Sequence, residues 1–135
     1  MTNIQSKRIL IIEDDIDIRE LIAEILTEEG YLTTTAENGK LGLDYLLSCK
    51  VEERPDCIIL DLMMPVMTGI QVLESLQLDH PNDLAKIPVI IATAKGNPKE
   101  DLKNMPSNVT KIRKPMDVNE LIDTVAKHSG RNDAT

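Results

Sequence analysis

Apolar positions along this chain recur in two alternating rhythms. Five short runs read as strands: "RILII" (8–12), "YLTTTA" (31–36), "CIIL" (57–60), "PVIIAT" (88–93) and "VTKIR" (109–113). Several are unbroken hydrophobic stretches, which suits strands buried on both faces, as in a parallel sheet. Between them the spacing changes to that of a helix. Ile18, Leu21, Ile22, Ile25 and Leu26 follow the i, i+3, i+4, i+7 rule. Asp14 or Asp15 is placed to cap that helix and Gly30 to end it. Leu43, Leu46 and Leu47 mark a second helix opened by Asn38-Gly39. Gly42 inside it is expected to cost about 1 kcal/mol relative to alanine. Ile70, Leu73 and Leu76 mark a third helix. The polar stretch "KGNPKEDLKNMP" (95–106) supports one or two helical turns. Val118, Leu121, Ile122 and Val125 give a last helix, with Asp117 and Glu120 in capping-box spacing.

The resulting order, β-α repeated five times, predicts an α/β fold: a doubly wound, five-stranded parallel sheet with right-handed crossovers. No repeat or low-complexity tract interrupts it. One domain is expected over 1–128, followed by a polar, disordered tail at 129–135.

Composition narrows the chemistry. With two Tyr, no Phe and no Trp among 135 residues, the core must be aliphatic, and stacking platforms for single-stranded nucleic acid are missing. A net charge of −8 repels polyanions, so direct nucleic-acid binding is not expected. Cys49 and Cys57 lack disulfide-framework or metal-ligand spacing, and Cys57 reads as a small buried hydrophobe. His80 and His128 read as solvated surface residues. The polar start "MTNIQSKR" does not look like a secretory leader. No apolar run approaches the roughly 20 residues of a membrane span. A cytoplasmic protein with no membrane partner is expected.

Ligands of open parallel sheets bind beyond the carboxyl ends of the strands. There the first run is followed by Glu13, Asp14 and Asp15, and the third by Asp61. The fourth ends on Thr93, and the fifth is followed by Lys114 and Pro115. Taken singly, these are common helix caps, turn residues or solvated charges. Taken together, they set carboxylates, a hydroxyl and an ammonium along one edge. Gathered carboxylates repel unless protons or a divalent cation intervene. An all-oxygen donor set suits Mg²⁺. A metal-neutralised Asp61 is then a candidate nucleophile toward a phosphoryl group that Thr93 and Lys114 grip.

Four segments, "ILIIEDDIDIRELI", "IILDLMMPVMTG", "PVIIATA" and "IRKP", in this order and spacing, resemble the receiver domain of two-component response regulators. The likeness runs from about Lys7 to Lys127. It implies a flavodoxin-like sheet in the order 2-1-3-4-5. It also implies that Asp61 accepts a phosphoryl group from a phosphohistidine on a partner kinase or histidine phosphotransfer protein, changing affinity for a downstream protein. Glu13 and Asp14 would hold Mg²⁺, with Mn²⁺ able to substitute. Asp14 and Asp61 would ligate directly, Glu13 through water, and the Met63 backbone carbonyl would complete the set. Thr93 and Lys114 would hold the phosphoryl group, with small Ala94 leaving it room. The Lys114–Pro115 bond would be cis, and Pro65 and Gly69 match the turn into the third helix.

Two departures stand out: Lys111 occupies the family's usual aromatic switch position, and the stretch before the fifth strand lacks the usual Gly-Ala turn. Output through a different face or a different mechanical element is therefore expected. Three other readings compete. A degenerate receiver would bind partners without phosphorylation. A haloacid-dehalogenase-type aspartyl-phosphate hydrolase needs a second acid where Met63 stands. A flavodoxin-like cofactor binder would need a neutral phosphate loop in place of "EDDID".

Overall fold

Large aliphatic side chains, among them Ile9 to Ile12, Ile58 to Leu60 and Ile90 to Ile91, are almost wholly withdrawn from solvent, and most of them lie on the strands. The computed structural model describes residues 6–93, 107–114 and 117–130. Five strands, β1 (Arg8–Ile12), β2 (Leu32–Ala36), β3 (Cys57–Asp61), β4 (Val89–Thr93) and β5 (Val109–Arg113), form one parallel sheet in the order β2-β1-β3-β4-β5. The described helices are α1 (Ile16–Glu28), α2 (Gly39–Ser48), α3 (Gly69–Asp79) and α4 (Val118–His128). Short 3₁₀ turns cover Val51–Glu53 and Leu84–Lys86. The helical turns expected within 95–106 lie outside the described residues.

Alternation of side chains along each strand makes two cores. Leu10, Ile12, Ile58, Leu60 and Ile91 pack with Leu46, Val72, Leu73 and Leu76 of α2 and α3. Ile9, Ile11, Ile59, Ile90 and Ile112 pack on the other face, with Ile22 and Leu26 of α1 and Leu121 and Val125 of α4. Both faces of the central strands are thus covered, which is why their sequences run hydrophobic without a polar partner position. Each fully buried Ile or Leu contributes about 1.5–3 kcal/mol. That burial offsets the cost of gathering charge at the sheet's end.

Local differences from the expected boundaries have simple causes. Tyr31 is buried but belongs to the turn, its N–H bonded to the Leu26 carbonyl at the end of α1. Pro88 has no N–H to give β4, although its carbonyl accepts from Ile58. Ser129 is buried and caps α4, its N–H closing on the Val125 carbonyl. His80 and His128, expected as solvated, are half-buried at helix ends. Burial pushes the Cys57 thiol up to about 12, in keeping with an inert core residue.

Gly42 departs most from its expected role. A Cβ there would run into the Cδ1 and Cγ1 atoms of Ile12. The glycine therefore brings α2 down onto the last residue of β1, directly beneath Glu13, and its helix-propensity cost secures that close approach.

Candidate phosphoacceptor site

The strand register places the polar residues level with one another. Ile12 pairs with Leu60, which sets Glu13 beside Asp61 across adjacent strands. Asp61 pairs with Ala92, and Thr93 with Arg113, so Lys114 emerges at the same edge. Glu13, Asp14 and Asp61 each offer a carboxylate oxygen, and these atoms lie within 4.8 Å of one another. At an effective dielectric of about 20, such a separation costs roughly 3 kcal/mol for each fully ionised pair.

Three devices hold this repulsive group together. The first is Lys114, whose Nζ lies 2.6 Å from Glu13 Oε1 and 3.5 Å from Asp61 Oδ1. Its side chain is 12% exposed and that of Glu13 only 2%, so the carboxylate end of this ion pair is buried and the ammonium end partly so. The second is the backbone: Asp15 N–H donates to Glu13 Oε2 (3.2 Å) and Met63 N–H to Asp61 Oδ1 (3.2 Å). The third is protonation. Burial, reinforced by the hydrogen-bonding and charged Glu13 and by Asp14, and opposed by Lys114, raises the Asp61 carboxyl from 3.8 to about 7.

Elements on either side fix the loops. Asp15 caps α1, its Oδ1 accepting from Asp17 and Ile18 N–H at 2.9 and 3.1 Å. Of the two possible caps, Asp15 takes that role and Asp14 stands exposed beside Asp61. Beyond Asp61, the Gly69 N–H donates to the Leu62 carbonyl (3.0 Å). A reciprocal capping box follows: Gln71 N–H donates to Thr68 Oγ1 (3.2 Å) and Thr68 N–H to Gln71 Oε1 (2.9 Å). Sequence reasoning passed over that box, although the Thr-x-x-Gln spacing carried the signal. It also passed over Arg19, whose Nη1 donates to the Glu13 carbonyl at 2.9 Å.

Gly69 leaves no room for a side chain. A Cβ there would stand 2.6 Å from the Asp61 carbonyl oxygen and 3.0 Å from the Leu62 Cα. Both are backbone atoms, so neither yields cheaply. Gly69→Ala is expected to cost about 2 kcal/mol in urea unfolding and to slow phosphodonor labelling, because relief of the clash must move the peptide that carries Asp61.

Not every expected site residue is equally placed. Glu13, Asp14, Asp61 and Lys114 converge. Met63 sits at the rim, 67% exposed, with its N–H on Asp61. Thr93 ends β4, but its side chain lies outside the described residues, as do Ala94 and the Lys114–Pro115 bond. Lys111, at the expected switch position, is exposed on β5 opposite Ile91. Val66, in the loop after Asp61, holds φ at +71°, a backbone region rarely tolerated by β-branched residues. The Met67 N–H bonds back to the Pro65 carbonyl across it (2.8 Å).

The family model described as the response regulator receiver domain matches residues 9–126. The chain belongs to the response regulator receiver family. Sporulation initiation phosphotransferase F of Bacillus subtilis is 36% identical over 125 residues, covering 91% of this chain and 94% of that one. The DNA-binding response regulator MtrA of Mycobacterium tuberculosis is 32% identical over 128 residues, 94% of this chain but only 52% of its own length. The receiver thus spans about half the length of the DNA-binding regulators it matches. Among solved structures, the Francisella response regulator 1452 receiver domain superposes with a TM-score of 0.78 at 29% identity, covering 93% and 98% of the two chains. A receiver domain of a Syntrophus aciditrophicus histidine kinase gives a TM-score of 0.80 at 30% identity, covering 96% and 95%. This receiver is a signalling domain of two-component systems and not a conventional enzyme. Among the described residues no helix is long and apolar enough to cross a membrane.

Proposed function

We propose that Asp61 is the phosphoacceptor of this receiver, taking its phosphoryl group from a phosphohistidine on a sensor kinase or histidine phosphotransfer protein. The observation that carries the reading is the convergence of Glu13, Asp14 and Asp61 within 4.8 Å, with a partly buried lysine paired to Glu13 and Asp61. An ionised Asp61 oxygen attacks phosphorus, the new P–O bond forms as the donor's P–N bond breaks, and the imidazole nitrogen leaves with the bonding pair and takes a proton from solvent. Thr93 and Lys114 are assigned to the phosphoryl oxygens. Lys114 already spans Glu13 and Asp61, so it needs only to lean from one carboxylate toward the incoming group.

The donor set fits Mg²⁺: three carboxylates, two of them buried, with no His or Cys among them. Asp14 and Asp61 are assigned as direct ligands, with the Met63 carbonyl, and Glu13 acts through water because Lys114 and the Asp15 N–H already engage both its oxygens. When bound, Mg²⁺ supplies positive charge that lowers the Asp61 carboxyl's affinity for protons and neutralises phosphoryl oxygens. Met63 stands where an aspartyl-phosphate hydrolase needs its acid, so this site lacks a general acid at that position and favours signalling over turnover.

Incubation with acetyl phosphate and Mg²⁺, followed by intact mass measurement, is expected to add one phosphoryl group to the wild type and none to Asp61→Asn. Undiminished labelling of the variant would remove Asp61 from this role. A wild type that binds Mg²⁺ but never labels would make the domain a phosphorylation-independent binding module.

A further inference from the structure

The three acids differ in how they are held. Glu13 is tied at every polar atom: its N–H donates to the Ala36 carbonyl of β2 at 3.1 Å, its carboxylate meets Lys114 and the Asp15 N–H, and its carbonyl accepts from Arg19. Asp61 is built into β3 and tied to Lys114 and Met63. Asp14 is exposed and lies outside any strand or helix. Its direction must come from the peptide that precedes it.

That peptide is the one Arg19 grips. The carbonyl oxygen of Glu13 and the nitrogen and Cα of Asp14 lie in one rigid plane. A donor fixed on that oxygen therefore fixes the line along which Asp14 leaves the sheet. Arg19 sits one turn into α1, where its own N–H bonds to the Asp15 carbonyl (2.9 Å) and the Asp15 side chain caps the helix. The guanidinium thus works from a rigid base. It is half-buried and reaches back over the helix start to the Glu13 carbonyl.

We propose that Arg19 is a positioning residue for the metal centre: by holding the Glu13–Asp14 peptide it aims Asp14 into the acidic cluster and so sets the affinity for Mg²⁺. This rests on the reading of Glu13, Asp14 and Asp61 as a Mg²⁺ site. Groups that orient the ligands of a metal typically change its affinity about 10–100-fold when removed, and Arg19 acts at one covalent remove from a ligand.

Calorimetric titration with Mg²⁺ of wild type, Arg19→Ala and Arg19→Lys tests it, with melting of the metal-free proteins in parallel. Arg19→Ala is expected to weaken binding about ten-fold with little change in metal-free melting. Arg19→Lys, which keeps a long cationic donor, is expected to recover most of the affinity. Labelling by acetyl phosphate should return close to the wild-type rate once Mg²⁺ is raised to saturate the alanine variant, since the defect lies in capture of the metal and Asp61 itself is untouched. An affinity within two-fold of wild type in Arg19→Ala would overturn the inference while leaving the Mg²⁺ site standing. So would weakened binding matched by a fall in metal-free melting that lysine does not restore, which marks a merely structural residue. A wild type that binds no Mg²⁺ would overturn the site and this inference together.

Discussion

Replacing Lys114 with methionine is expected to cost the metal-free protein about 3 kcal/mol at neutral pH, read from urea unfolding. Methionine keeps most of the aliphatic stem, so packing changes little and the loss is electrostatic. The ammonium lies against both Glu13 (2.6 Å) and Asp61 (3.5 Å), and Glu13 is almost wholly buried. Breaking a buried pair from one side strands a desolvated charge, which typically costs about 3–5 kcal/mol. The lower end applies here because Asp14 stands exposed and admits solvent to the cluster. Removing both partners should be far milder. In Lys114→Met with Glu13→Gln no charge is stranded, and the double-mutant cycle should give a coupling of about 2 kcal/mol. A single-variant loss below about 1 kcal/mol, or additive effects, would mean that the pair is solvated and does not hold the cluster.

The second large effect concerns pH. The Asp61 carboxyl is raised from 3.8 to about 7, chiefly by burial and then by Glu13. For an acid shifted upward, the folded chain holds its proton more tightly than the unfolded one. Its stabilising contribution is fully present below pH 3.8 and is lost as pH rises to about 7. Asp61→Asn removes that loss. Without metal, the variant should match the wild type near pH 4 and exceed it at pH 8. A shift of this size corresponds to roughly 4 kcal/mol, and solvent at the rim screens part of it, so about 2 kcal/mol is expected. Mg²⁺ should reverse the order, because a ligand of the native state at about a hundred times its Kd adds about 2.7 kcal/mol and the asparagine variant lacks one of the ligands proposed for the ion. Unfolding curves at pH 4, 6 and 8, with and without Mg²⁺, decide it. A wild type and variant that keep a constant gap across these pH values would contradict the raised carboxyl.

How much of this was legible in the chain follows from which interactions are local. The strands were, because burial on both sheet faces writes itself as continuous Ile, Leu and Val. The convergence of Glu13, Asp14, Asp61 and Lys114 was legible once the strand ends were aligned, since a parallel sheet brings all its carboxyl ends to one edge. Gly42 was misread because helix propensity is a local quantity, whereas its purpose is contact with Ile12 on another element. Arg19 was passed over for a related reason: in periodicity it is one more polar residue on an amphipathic helix, and its target is a backbone carbonyl, which no residue letter records. Thr68 and Gln71 carried a readable signal that a search for apolar spacing overlooked. The relation of Lys111 to Ile91 shows where the departure sits but draws no output partner.

The ion pair between Lys114 and Glu13 joins residues 101 positions apart. Chemical competence is therefore a property of the finished chain. While the ribosome is still extending the polypeptide, β1 and β3 can have emerged with Asp61 in place, yet the ammonium that steadies the cluster has not been made. Contacts of such long sequence separation form late and at high entropic cost. A nascent domain that stalls before its fifth strand would hold Asp61 without Lys114, and on the proposed reading would lack one of the two groups assigned to the phosphoryl oxygens.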